Sequence, residues 1–225
     1  MKYLIFDMDG TLLDSMPAWK EAERLMLEHF KIDRNELKEA HKLEQMSFSQ
    51  VATYLAAHAK RDTTADEIIN FLNEQTRLFY KTKTQIKEGI KEFLDYMKNK
   101  SIRMSVASST DYEMAIEALK QFDILDYFEH IFTNDKLGFS KSKLEFWQQV
   151  SEKCETSLSN LILFDDALYA ISGAKNAGLY VVGLRDNQSE EKYTLITEKA
   201  DVAANNISDF IPEEFYNEII SSASN

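Results

Sequence analysis

MKYLIFDMDGTLLD, residues 1–14, is the stretch on which the fold turns. Tyr3 to Phe6 is a short apolar run that stops at Asp7; a second carboxylate, Asp9, follows two positions later, then Gly10 and Thr11. If Tyr3–Phe6 is a buried strand, Asp7 sits at its C-terminal end, where open α/β sheets bind ligands. Two acids this close repel each other unless a cation or a shared proton offsets the charge. A hard divalent cation, which prefers oxygen ligands, resolves the conflict most simply. An Asp-Gly turn is the structural alternative. A calcium loop does not fit, because Thr11 stands where a third acid is needed and Gly10 comes too early.

Outward from this segment, composition sets bounds. A chain of 225 residues with 6 Gly and 2 Pro can bury a real core and has little room for long irregular loops. The net charge of −12 argues against a nucleic-acid footprint, which would be basic. It also means that an anionic substrate gains no help from the overall field, so attraction must be local. The single Cys154 cannot form an internal disulfide, which fits a reducing compartment. No secretory signal pattern opens the chain and no apolar run approaches a membrane span, so the expectation is a cytoplasmic protein, monomeric by default.

From Ala18 to about Phe79 the apolar residues recur at helical spacing, with Ala22, Leu25, Met26 and Phe30 on one face and Ile68, Phe71, Leu72 and Phe79 on another. Ser15 is the expected cap of the first helix, with Pro17 in its first turn. This stretch is too long for a simple crossover and reads as an inserted helical domain. Strands then alternate with helices: strands at Ile102–Ala107, Ile131–Thr133, Leu161–Phe164, Tyr180–Leu184 and Asp201–Ala203, helices at 89–100, around Ala115–Phe122, at 143–154 and at 167–177. The pattern predicts an α/β fold, a doubly wound Rossmann-like parallel sheet with an all-α insert. The core spans 1–14 and 86–225, the helical domain 15–85.

Polar clusters recur at the strand ends. Ser108 follows Ile102–Ala107, and Asp165–Asp166 follow LILF. Ser108 alone would pass for a turn former and Lys141 for a solvated surface residue. Two adjacent acids ending a buried strand are harder to explain by stability. Residues 7–15, DMDGTLLDS, match the DxDGTLxDS pattern at every specified position, and the chain resembles the haloacid dehalogenase superfamily of phosphohydrolases there. Ser108 is similar to its second motif. Lys141, in SKSKLEFW, is similar to the third, with Ser140, Leu144 and Glu145 in place of Gly, Pro and Asp; Lys143 is the alternative lysine. LFDDALYAISGAKNAGLYVVG resembles the fourth, with Ala167 for Ser and Ala170 for Gly. The resemblance covers 1–14 and about 86–203, and the insert matches the family's small helical cap in position and length.

The resemblance implies a Mg2+-dependent phosphatase acting on a small phosphorylated metabolite, with no nucleic-acid or membrane partner. Asp7 would be the nucleophile, forming an aspartyl-phosphate, and Asp9 the general acid and base. Mg2+ would be held by Asp7, the Asp9 backbone carbonyl and Asp166, with Asp165 as a possible further ligand. Asp7, Met8, Asp9, Ser108, Ser109 and Lys141 would contact the phosphoryl group, and Thr11 would orient Asp9. An acid at Asp9 separates phosphatases and phosphomutases from the carbon–halogen and carbon–phosphorus cleaving relatives. Trp19 stands where the β-phosphoglucomutase relatives carry a cap His, and Phe48 near their cap Arg, which favours hydrolysis over phosphoryl transfer between sugar positions. Met16, Trp19 and Phe48 would form either an apolar wall or plain packing. A phosphomutase and a non-catalytic phosphate-binding module remain the alternatives. His29, His41, His58 and His130 show no ligand spacing, and IPEEFYNEIISSASN reads as a short packed helix with a frayed tail.

Overall fold

A computed structural model describes residues 2–37, 48–186 and 189–221, without the side chains of Phe48 and Ser49; His41 and the segment around it lie outside the described residues. Two compact units emerge, one of Met1–Asp14 with Ile86–Asn225 and one of Ser15–Gln85.

The first unit is built on β1 (Tyr3–Phe6), which has no exposed position because both its faces are covered. That is why it reads as a continuous apolar run rather than an alternation. The chain leaves through β2 (Leu13–Asp14) and returns through β3 (Gln85–Ile86). β4 (Met104–Ser108), β5 (Ile131–Thr133), β6 (Leu161–Asp165), β7 (Tyr180–Leu184) and β8 (Val202–Ala204) complete a six-stranded sheet of order β5-β4-β1-β6-β7-β8. All its pairings are parallel, with Leu4 opposite both Met104 and Ile162. The order reverses at β1, so the crevice outside the ends of β1 and β6 is the place where such sheets take ligands.

Strand alternation sorts the core into two layers. Tyr3, Ile5, Leu161, Leu163 and Val181 join Phe146, Trp147 and Val150 of α7 (Leu144–Lys153) and Ile171 and Ala174 of α8 (Leu168–Ala177). On the opposite face Phe6 stacks on Phe164 at 4.8 Å, and both meet Phe93 of α4 (Ile90–Asn99) edge-on. Phe215 of α10 (Pro212–Phe215) closes that layer. α8 ends at Gly178, whose φ of +89° forms a left-handed cap without a Cβ penalty. α5 (Tyr112–Gln121), the short α6 (Asn134–Leu137) and α9 (Glu190–Lys199) fill the remaining connections. The strand expected at Ile102–Ala107 is shifted to Met104–Ser108, so Ser108 belongs to the strand rather than to the loop. The expected C-terminal helix is α10, continued by a wide turn of helix over Tyr216–Ser221.

The second unit contains α1 (Met16–Phe30), α2 (Phe48–Ala56) and α3 (Ala65–Thr82). Ala18, Ala22, Met26 and Phe30 form the buried stripe of α1, facing a core shared with Ala52, Leu55, Ile68, Leu72 and Phe79. α3 starts with a reciprocal capping box between Thr64 and Glu67. Ser15 occupies the N-cap of α1, but its side chain makes no capping bond there; the helix starts instead on the Ser15 carbonyl, with Pro17 in the first turn. No helix among the described residues is long and apolar enough to cross a membrane.

Candidate active site

The Asp7 amide donates to the Phe164 carbonyl at 2.8 Å, extending the β1–β6 pairing by one residue and aiming the Asp7 side chain past the sheet edge. The chain then turns sharply. Leu12 and Leu13 both donate to the carbonyl of the fully buried Met8, and Gly10 takes φ +90°. A Cβ at Gly10 would lie 2.8 Å from each carboxylate oxygen of Asp166, so only glycine admits both the backbone conformation and the neighbour.

Asp7, Asp165 and Asp166 each offer a carboxylate oxygen within 4.8 Å of the others, and all three are buried. Lys141, itself 1% exposed, sits among them. Its ammonium donates to Asp7 Oδ1 at 2.5 Å, Asp165 Oδ2 at 2.7 Å and the Ala107 carbonyl at 3.2 Å, which uses its three hydrogens. Burial works against the charge of Lys141, yet Asp165 and Asp7 hold its pKa well above the usual lysine range. Burial also drives the Asp7 carboxyl well above its ordinary value; Lys141 pulls it down, while Asp165, Asp166 and Asp9 push it further up. Three buried carboxylates that converge within 4.8 Å, two of them on the Lys141 ammonium, make a donor set that fits a hard divalent cation. Asp165 also accepts the Ala167 amide at 2.8 Å, so each of its oxygens already takes a bond from the protein. It acts as the fixed partner of Lys141.

Lys141 is held from behind. The buried indole of Trp147 donates to the Lys141 carbonyl at 2.8 Å. Gly173 of α8 lets that strand of backbone approach, since a Cβ there would lie 2.2 Å from the same carbonyl oxygen. Lys143, the alternative lysine, is exposed and caps α7.

Ser108 is buried at the end of β4, and its hydroxyl accepts the Thr110 amide at 3.0 Å. Thr110 in turn donates its hydroxyl to Asp9 Oδ2 at 2.7 Å. This corrects the expected role of Thr11, whose hydroxyl is buried with no hydrogen-bond partner. Thr11 is fully buried within the turn segment, whereas Thr110 comes from the loop that follows β4. Ser109 is exposed, beside Tyr169 and Asn134. Sequence reasoning missed Thr110, Trp147, Gly173, Tyr169 and Asn134. Only Trp147 left a trace, because a buried indole N–H demands an acceptor. In the helical unit, the indole N–H of Trp19 donates to the Tyr80 hydroxyl at 3.2 Å. Of the expected wall of Met16, Trp19 and Phe48, the Phe48 side chain lies outside the described residues.

The family model for haloacid dehalogenase-like hydrolases matches residues 4–184. A phosphorylated carbohydrates phosphatase of Thermotoga maritima is 26% identical over 181 residues, covering 80% of this chain and 82% of that protein. The beta-phosphoglucomutase of Bacillus subtilis is 26% identical over 195 residues, covering 84% and 85%. Among solved structures, a HAD hydrolase of family IA, variant 3, from Entamoeba histolytica shares the fold with a TM-score of 0.79 at 19% identity, over 96% of this chain and 98% of that one.

Proposed function

The chain belongs to the haloacid dehalogenase-like hydrolases, and on that premise we propose that it hydrolyses a small organic phosphate monoester through an aspartyl-phosphate on Asp7. The observation that carries this reading is the buried group of Asp7, Asp165 and Asp166 around Lys141 at the point where the strand order reverses. The similarity to a phosphatase of phosphorylated carbohydrates puts sugar phosphates first among the substrates.

In the first step a carboxylate oxygen of Asp7 attacks phosphorus in line. The P–O bond to the leaving alcohol breaks, and protonated Asp9 gives that oxygen its proton. In the second, the Asp9 carboxylate takes a proton from water, whose oxygen attacks phosphorus and frees Asp7 and inorganic phosphate. Thr110 holds the Asp9 carboxylate in place for both transfers. Lys141 fixes Asp7 and contributes positive charge toward the transferring group. Ser108, Ser109 and the amide of Met8 add donors to its oxygens. Asp7, the Asp9 carbonyl and Asp166 would hold Mg2+, which offsets charge between an anionic nucleophile and an anionic substrate. By its resemblance to the family, the helical unit Ser15–Gln85 would be the cap.

Phosphate release from a panel of sugar phosphates and other small monoesters, with Mg2+ or EDTA and with Asp7→Asn as the blank, tests this. Release that needs the metal and disappears in the variant is expected, because an amide is a poor nucleophile. Near-normal turnover by Asp7→Asn would refute the mechanism. The equal identity to a phosphoglucomutase favours one second reading, transfer between two positions of a sugar phosphate. It would appear as isomer interconversion only when a sugar bisphosphate is added.

A further inference from the structure

Ser109 is tied to two residues that the mechanism above does not use, in a second hydrogen-bonded group at the same edge of the sheet. Ser109 follows β4, Asn134 opens α6 directly after β5, and Tyr169 lies in the first turn of α8 after β6. Three separate connections therefore meet in one network. The Ser109 and Tyr169 hydroxyls are 2.7 Å apart, and the Asn134 amide nitrogen donates to Ser109 Oγ at 3.1 Å.

Counting hydrogens shows what the network can do. The Ser109–Tyr169 bond uses one of two O–H hydrogens, and the Asn134 bond brings its own. One O–H is therefore left for a ligand, whichever hydroxyl donates to the other. The phenol keeps its proton, since burial above all pushes the Tyr169 pKa up to about 12, with Lys141 working in the other direction and Asp165 and Asp7 adding to the rise. Those same partners mark Tyr169 as a neighbour of the Lys141 cluster. With Tyr169 as the donor of that bond, the unspent O–H is that of Ser109, the exposed member, while Tyr169 and Asn134 are partly buried behind it. Asn134 contributes rigidity: its Oδ1 is buried without a hydrogen-bond partner, a cost accepted while the amide nitrogen stays on Ser109.

We propose that Tyr169 and Asn134 are positioning residues that lock the Ser109 hydroxyl toward a non-bridging oxygen of the phosphoryl group, making the pair Ser109–Tyr169 a neutral donor arm opposite Lys141. This rests on the phosphatase reading above. Neutral donors suit a site already crowded with charge, because they recognise the phosphoryl oxygens without adding to the balance among Asp7, Asp165, Asp166 and Lys141.

The test uses the whole protein with Mg2+ and inorganic phosphate as the probe, read as competitive inhibition of the best ester in the panel. Tyr169→Phe removes one hydroxyl and little volume. It is expected to weaken phosphate about three- to tenfold and to raise KM similarly, the size of one neutral hydrogen bond. Ser109→Ala is expected to match it, and the double variant to be no worse than either single one, because both changes remove the same donor arm. Asn134→Ala should give a smaller loss, and all variants should keep the wild-type thermal midpoint within a few degrees. Should Tyr169→Phe fail to fold, Ser109→Ala and Asn134→Ala carry the test. Unchanged phosphate inhibition in Tyr169→Phe and Ser109→Ala, or fully additive losses, would overturn the inference while leaving the phosphatase reading intact. A wild-type protein that neither turns over an ester nor binds phosphate would overturn both.

Discussion

Replacing Lys141 by Met keeps most of the side-chain volume and removes the buried ammonium that donates to Asp7 and Asp165. Breaking a buried ion pair by removing one partner costs about 3–5 kcal/mol, because the remaining charges stay buried and uncompensated. Set against a typical domain stability of about 5–15 kcal/mol, that is about a fifth of the total or more. A divalent cation would supply the missing charge. At 100 times its Kd, a ligand specific to the native state adds about 2.7 kcal/mol. Lys141→Met should therefore lose about 3–5 kcal/mol in urea unfolding with EDTA and recover a large part of it with saturating Mg2+. The wild-type protein should gain less from the metal than the variant does. Lowering the pH should also narrow the deficit. Lys141 is the influence that pulls the Asp7 pKa down, so without it the buried acid takes up a proton more readily and sheds its charge. A variant within about 0.5 kcal/mol of wild type in EDTA, the ordinary spread of surface substitutions, would refute the idea that Lys141 offsets the carboxylates.

Thr110→Val should lower kcat by about tenfold or more, since a hydrogen bond to a charged group is worth about 1.5–3 kcal/mol, whereas Thr11→Val should leave kcat and stability almost unchanged because its buried hydroxyl has no partner. Parallel kinetics and urea titrations of the two variants decide between these threonines. Gly173→Ala should cost about 1–3 kcal/mol in the same titration, because the new Cβ meets the Lys141 carbonyl and Ser142 Cα, which are backbone atoms that cannot swing aside. Burial pushes the Cys154 thiol up, and a group whose folded pKa is raised contributes stability that is complete below its unfolded pKa, about 8.5, and is lost as the pH rises toward the folded value. Urea midpoints should therefore fall from pH 8 to pH 10 (approximate settings chosen around that pKa), and Cys154→Ala should fall less; an identical decline in both would assign the loss to other groups.

Much of the scaffold is legible in the sequence. Ile131–Thr133 and Tyr180–Leu184 have the bounds expected of them, and Leu161–Phe164 is one residue short. Buried parallel strands must be apolar on both faces, so they announce themselves as short unbroken runs. The α9 helix was not foreseen, since only Ile196 of it is buried and a single anchor makes no periodic stripe. The Ser15 cap was the natural inference from residue type, but its ψ of −11° is helical rather than extended, and the side chain makes no capping bond.

Sequence alone determined where the candidate groups stand. Apolar runs ending at Asp7, Ser108 and Asp165–Asp166 put those groups at or beside strand ends, because the apolar run of a doubly covered strand gives way to polar residues where the strand ends. Tertiary structure decided which groups act together. Lys141 reaches Asp7 across 134 positions, and Thr110 reaches Asp9 across 101. Such partners are chosen by strand order and register, which leave no periodic mark in the chain. For the same reason the local candidate, Thr11, lost to a threonine from the loop after the neighbouring strand, and Ser109, Asn134 and Tyr169 met only once three connections had been brought to one edge of the sheet.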